Sequence, residues 1–361
     1  MLKDYLPWII TAVVVLVVVI GGYVTTRVAP DVTAPLLRRR PRPHRDHFRN
    51  EDAETATPVR RAAVIINPTK FSDLEAVRRR LTATCISNGW AEPSFHETTA
   101  DDTGAGQAAA AVREGVDLVC TLGGDGTVRN VASVLVGSEM PLGILPAGTG
   151  NLLARNLDLP VALEAALTVA LTGRNRRIDV GELRIGSAAD EARPHHFLVM
   201  SGVGMDAAIM AGTNESLKQK VGWPAYLLSG AKHLVSPEFR VTVRVDDEPA
   251  FRRRSRMVVI GNCGRLLGGL VLMPNALVDD GALDAVIASP RGVVGWVPVA
   301  TRVVTRQRKG HPTLDQSRFR QMHVEVDRPV PVQVDGDVLG EATEVTAVVL
   351  PAALTVRVSQ T

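Results

Sequence analysis

The order of apolar and polar positions divides the chain into four stretches. Residues 5–26, YLPWIITAVVVLVVVIGGYVTT, carry no charged side chain, and about 20 such residues suffice for a helical span of a bilayer. The pattern predicts a transmembrane helix. Residues 27–60 are rich in proline and charge and poor in aromatics, which predicts a tether rather than a core. Across 61–178, short apolar runs (AAVII, LVCTL, LGILP) alternate with helical stretches, among them LEAVRRRLTATCISNG, closed by Gly89, and GAGQAAAAVREG, with a short strand through SFHETT between these two. Apolar runs bounded by turns read as buried strands. Their alternation with helices predicts a parallel sheet, with a ligand at the carboxyl ends of the strands. Across 179–361 the texture becomes short valine-rich runs between turns (FRVTVRVDDEP, RSRMVVIGNCG, RQMHVEVDRPVPVQVDGD, TAVVLPAALTVRVS), the pattern of an antiparallel sandwich whose C-terminal end is free to return to the first domain. Two stretches, 217–235 and 293–310, interrupt it with helical spacing. The second has a cationic end, and docking to a bilayer competes there with ordinary core packing.

Charge orients this plan. Residues 27–49 hold seven arginines against Asp31 and Asp46, and positive flanks stay cytoplasmic. A single-pass cell-membrane protein with its large domains inside follows. A cleaved signal peptide competes, but its basic end would precede a shorter apolar core. The Arg cluster is either a site for anionic phospholipids or a topology signal in a solvated linker. A net charge of +3 with no basic stripe bearing aromatics excludes a nucleic-acid reading. Cys85, Cys120 and Cys263 lack metal spacing and read as buried thiols in a reducing compartment. The eight histidines form no paired pattern, so neither zinc nor a catalytic His is expected.

The chemistry lies where LVCTL and LGILP each empty into a glycine-rich turn that opens a helix: GGDGT (Gly123 to Thr127) and GTGN (Gly148 to Asn151). Backbone N–H groups free of a Cβ wall, at the positive end of a helix dipole, suit phosphate oxygens. Two such turns 25 residues apart predict one polyphosphate site. A carboxylate among phosphate-facing amides repels the ligand unless a cation intervenes, so Asp125 predicts a nucleotide-bound Mg2+. A tight turn with a solvated Asp is the plainer alternative.

LGGDGTVRNVA followed by LPAGTGNLLARNL resembles the catalytic domain of the diacylglycerol kinase and sphingosine kinase family of lipid kinases. The first motif is shared with NAD kinases and phosphofructokinases; PAGTGN favours the lipid kinases. The resemblance runs over roughly 61–350. It implies an ATP-binding α/β domain of phosphofructokinase and NAD kinase type (61–178), and a mainly antiparallel β-sandwich that takes the lipid (179–361). It also implies ATP at Gly123, Gly124, Asp125, Gly126, Thr127, Val128, Arg129 and Asn130, and at Gly148, Thr149, Gly150 and Asn151. The family's Asn-Pro-x-Ser-Gly turn is here Asn67, Pro68, Thr69, Lys70 and Phe71, so its Ser-Gly pair is missing. Thr99 matches a nucleotide-touching threonine, or is a helix cap. Asp179 and Gly181 fall in a turn between the domains. Asp280, with main-chain carbonyls around Leu277 and Ala282, matches a structural Mg2+ site; an Asp-Asp-Gly turn needing no metal is the alternative. VQVDGDVLG stands where relatives have Asp-Gly-Glu, whose acidic groups receive the substrate hydroxyl's proton. Asp335 and Asp337 are the candidates here, although Asp-Gly is also a hairpin signal by itself.

The expectation is a membrane-tethered kinase that moves the γ-phosphate of ATP, with Mg2+, to a lipid hydroxyl. Diacylglycerol comes first and a long-chain base or other lipid alcohol second. An NAD kinase-like enzyme and a catalytically silent lipid-binding scaffold are the remaining alternatives.

Overall fold

Four parallel strands carry the first half. They are β1 (Ala62–Ile66), β2 (Ser94–Glu97), β3 (Leu118–Gly123) and β4 (Leu142–Pro146), in the order β4-β3-β1-β2. The computed structural model describes residues 59–186, 194–204, 238–266, 270–289 and 314–360. The 5–26 stretch, most of the tether, and the helical stretches 217–235 and 293–310 lie outside them. No helix among the described residues is long and apolar enough to cross a membrane.

Every residue of β1 is buried because helices cover both faces. Ala62, Val64 and Ile66 pack towards α1 (Leu74–Ser87) and α5 (Leu163–Thr172), while Ala63 and Ile65 pack towards α2 (Ala105–Arg113) and α3 (Asp125–Leu135). The two-residue period of the strand splits the run AAVII between two cores. Asp73 caps α1 by accepting from the Ala76 amide at 2.8 Å, and Gly89 leaves the helix end at φ 74°. A short fourth helix, α4 (Leu152–Asn156), follows the second glycine turn.

The second half is antiparallel. It comprises β5 (Arg174–Ile185), β6 (His195–Phe197), β7 (Met200–Val203), β8 (Phe239–Val245), β9 (Phe251–Ser255), β10 (Met257–Gly261), β11 (Leu283–Ala288), β12 (Leu314–Phe319), β13 (Gln321–Val334) and β14 (Asp337–Val358). The path runs β12-β11-β10-β7-β13-β14; β8 and β9 branch from β13, and β5 and β6 from β14. Alternate residues of these strands, such as Val241, Val243, Val324, Val332 and Ile260, fill a separate sandwich core with Phe197 and Phe319. The architecture is a mixed α/β nucleotide-binding domain joined to a C-terminal β-sandwich.

Strand β14 joins the halves. Its first part pairs with β13, and its last turns Val356 beside Leu142 of β4 in the parallel sense, so one hydrogen-bonded sheet runs through both halves. Asp179 and Gly181 correct one expectation: they lie inside β5, not in a turn. A Cβ at Gly181 would meet the Phe197 ring at 2.0 Å, so glycine is what lets that ring pack on the strand. The buried Asp179 carboxylate accepts from the Gly281 and Ala352 amides, both at 2.7 Å.

Candidate active site

Four loops leave the carboxyl ends of β1, β2, β3 and β4 on one edge of the parallel sheet. After β1, Asn67 donates its amide to the Leu122 carbonyl at 2.9 Å, and its Oδ1 accepts from the amide and hydroxyl of Thr69. The turn therefore closes without the missing Ser-Gly pair, and Pro68 starts a single 3-10 turn, Pro68–Lys70. After β2, the Thr99 hydroxyl accepts from the Asp102 amide at 3.0 Å, so this threonine shapes its own turn. The same loop reaches α3, where the Asn130 amide donates to the Thr103 hydroxyl.

The two glycine turns pack against each other. A Cβ on Gly148 would stand 2.7 Å from the Gly124 Cα, and one on Gly150 would stand 2.6 Å from Asp125 Oδ2. Only glycine permits this approach. Asn151, at φ 48°, closes the second turn with both ends of its side chain: Oδ1 accepts from the Gly148 amide at 2.9 Å and Nδ2 donates to the Gly148 carbonyl at 2.7 Å. Arg155 Nε donates to the Gly150 carbonyl.

Asp125 braces the two turns against each other. Its Oδ2 accepts from the Asn151 amide at 2.8 Å and its Oδ1 from the Leu152 amide at 2.6 Å. It bolts the first turn to the second and caps α4. Burial pushes its carboxyl above the usual range, against the pull of those amides. Each oxygen accepts one amide and keeps a second acceptor lone pair, so the brace between the turns leaves room for a cation beside it. The start of α3, by contrast, has no side-chain cap, so its first amides suit an external phosphate. Gly123 and Gly124 lead into this helix start, Gly126 and Thr127 lie in its first turn with Val128 buried, and the exposed Thr149 lies in the facing glycine turn.

The sandwich delivers its acidic pair through a two-residue hairpin. Asp335 and Gly336 have φ 46° and 93°, the signature of a tight Asp-Gly turn, between Val334 and Asp337. The hairpin and a site coexist. Asp335 accepts from the Leu198 amide at 2.8 Å and from those of Val199 and Met200 at 2.9 Å. Desolvation nevertheless pushes its carboxyl up to about 6, opposed by the three amides and by Arg129. Asp337 is exposed and stands over the first turn of α3, 3.7 Å from where a Cβ on Gly126 would lie. Arg129 of α3 reaches across, donating to the Val334 carbonyl at 2.7 Å and to Asp337 Oδ2 at 2.5 Å. Among the described residues, Asp337 Oδ1 has no partner.

Leu277, Asp280 and Ala282 do not join this cluster. They gather near Asp179, and the Asp280 carboxylate is taken by Arg318 Nη2 at 2.8 Å and by the Ala282 amide at 3.2 Å. The Arg318 guanidinium supplies positive charge to this carboxylate. Among the described residues, no cluster of three His, Cys, Asp or Glu could hold a metal. The three cysteines are buried, and burial pushes the Cys85 thiol up to about 11.

Residues 61–183 match the diacylglycerol kinase catalytic domain, and residues 198–358 match the YegS C-terminal NAD kinase beta sandwich-like domain. A diacylglycerol kinase of Mycobacterium tuberculosis is 30% identical over 240 residues, covering 63% of this chain and 73% of that protein. The chain belongs to the bacterial diacylglycerol kinase family of lipid kinases. A diacylglycerol kinase of Staphylococcus saprophyticus is 26% identical over 290 residues, 78% of this chain and 90% of that one. The crystal structure of a diacylglycerol kinase from Bacillus anthracis str. Sterne shares the fold, with a TM-score of 0.66 at 22% identity, covering 84% and 98% of the two chains. As a member of this family the chain is an ATP-dependent lipid kinase, a phosphotransferase with an alcohol acceptor.

Two features of the kinase's site escaped the sequence pattern. His195, on β6, lies close enough to Arg129 that burial and this charge hold its imidazole below the usual range. The amides of Leu198–Met200 hold Asp335 through main-chain groups, which side-chain identity does not announce.

Proposed function

We propose that the kinase transfers the γ-phosphate of ATP to the free hydroxyl of diacylglycerol, giving phosphatidic acid, at the cytoplasmic face of the membrane that its 5–26 stretch would span. The single observation that carries the assignment of roles is Asp337, an exposed carboxylate clasped by Arg129 over the uncapped start of α3. The amides of the first turn of α3 and of the Gly148–Asn151 turn receive the phosphates. Asp337 accepts the lipid hydroxyl's proton at Oδ1 as the hydroxyl oxygen bonds to the γ-phosphorus and the bond from that phosphorus to the β,γ-bridging oxygen breaks, releasing ADP. Asp335 is a positioning residue: its three amide bonds fix the hairpin that aims Asp337.

Mg2+ would neutralise charge on the phosphates, as phosphoryl transfer requires, with Asp125 the nearest carboxylate in the glycine turns to hold it. The tether confines the enzyme to the surface where its insoluble substrate lies, raising effective concentration. Its arginines face anionic phospholipids there.

Acceptor competition tests this reading. Full-length kinase in mixed micelles with labelled ATP and Mg2+ is offered diacylglycerol, a long-chain base and NAD together. Label in phosphatidic acid supports the proposal. Label in the long-chain base alone keeps the mechanism and replaces the substrate, and label in NAD alone overturns it. Bound ATP with no labelled product would leave a scaffold.

A further inference from the structure

The hairpin of β8 and β9 carries arginines that the catalytic account does not use. In β8, Val241, Val243 and Val245 are buried and Arg240 and Arg244 point outward. In β9, Arg252, Arg253 and Arg254 are exposed. Register decides which share a face: Arg240 lies directly opposite Arg254, and Thr242 opposite Arg252. Arg240, Arg244, Arg252 and Arg254 therefore stand on one outer face of the sheet. Among the described residues, none of these four side chains makes a hydrogen bond or ion pair. Glu325 and Asp327 of β13 line a shallow depression of about 430 Å³ together with Arg240, Arg252, Arg253 and Arg254, four arginines against two carboxylates, and Asp327 accepts from the Arg240 main-chain amide at 3.0 Å.

Like charges facing each other across a ladder destabilise it, so the Arg240–Arg254 pair is costly unless something anionic covers it. Charged residues do guard an edge strand against unwanted pairing, and β9 pairs only with β8 among the described residues. That explains Arg252 and Arg254. It leaves Arg240 and Arg244 unexplained, because β8 is already paired on both sides, by β9 and β13.

We propose that this face of β8 and β9 is a docking surface for the phosphates of an anionic phospholipid bilayer. The guanidinium fork matches phosphate. The face offers no aromatic or aliphatic anchor around which a protein interface would build. The inference rests on the lipid-kinase reading for its choice of occupant. It would seat the sandwich on the surface that supplies its substrate, by contacts separate from the tether and from the phosphate bed.

Hydrogen exchange of the full-length kinase tests it. The chain is held in phosphatidylcholine vesicles with or without phosphatidylglycerol, and compared with an R240Q/R244Q/R252Q/R254Q variant that keeps the tether. Phosphatidylglycerol is expected to slow exchange across 239–256 in the natural chain and not in the variant. Surface affinity should fall about fivefold for each arginine removed, while turnover on uncharged micelles stays unchanged. Equal exchange with and without phosphatidylglycerol in the natural chain overturns the proposal, as does equal protection by inorganic phosphate alone. Protection by a nucleic acid without protection by vesicles overturns it too. The exchange readout needs no catalysis, so a failure of the kinase reading would show separately as absent turnover.

Discussion

Changing Asp125 to Asn separates two physical roles for the most conspicuous acid in the glycine-rich motif. In the folded chain its two oxygens each accept one main-chain amide, from Asn151 and Leu152. A hydrogen bond to a charged acceptor contributes about 1.5–3 kcal/mol. The Asn side chain turns one acceptor into a donor facing an amide and removes the charge from the other, while release of a buried charge offsets part of the loss. A net destabilisation of about 2 kcal/mol for Asn and about 3 kcal/mol for Ala follows. At about 2–4 °C per kcal/mol, the Asn variant should melt roughly 4–8 °C lower. Calorimetry with and without ATP, over a Mg2+ titration, reads both quantities. The expected outcome is a lower Tm, weaker ATP binding and no rescue by excess Mg2+. An unchanged Tm with activity restored by excess Mg2+ would show that Asp125 acts as a metal ligand alone and refute the turn-to-turn role.

Three further outcomes follow from particular contacts. Arg129→Lys keeps the charge but cannot hold the Val334 carbonyl and Asp337 together; turnover should fall about tenfold to a hundredfold with smaller change in ATP affinity, and an unaltered turnover would remove the clasp from the mechanism. Burial holds Asp335 at about 6, above the value of about 4 expected in the unfolded chain, so the folded state binds more protons in between and stability should fall as pH rises from about 4 to about 6; denaturation across that range should show this component in the natural chain and lose it in Asp335→Asn. If Arg318 neutralises the Asp280 turn, chelation should leave the natural Tm unchanged while Arg318→Gln becomes sensitive to Mg2+, and a chelator-dependent natural Tm would put a cation back at Leu277, Asp280 and Ala282.

The parallel half was legible because its signals are local. AAVII, LVCTL and LGILP are short apolar runs that only a sheet covered on both faces can bury, and each glycine turn sits where a strand must hand over to a helix. Valine-rich alternation likewise announced the sandwich. The sequence could not show pairings that depend on the folded chain. Asp125 and Leu152 meet only because two glycines bring their turns into contact. Arg129 and Asp337 are 208 positions apart, and nothing near either one names the other. Arg318 neutralising Asp280 is invisible for the same reason. The resemblance places Asp179 and Gly181 in a turn between the domains, yet both lie in β5, where two amides from other segments satisfy the Asp179 carboxylate. The tight Asp335-Gly336 hairpin was fully local; its three long-range amides were not.

The most direct test of the account is single-turnover transfer from ATP to diacylglycerol by the natural kinase and by Asp337→Asn, with ATP affinity measured on the same preparations. The account predicts that the variant binds ATP nearly as tightly, melts at nearly the same temperature, and transfers phosphate at least about a hundredfold more slowly, as loss of a general base requires. Transfer at the natural rate by Asp337→Asn would contradict it, and the role of proton acceptor would then pass from the clasped carboxylate to another group.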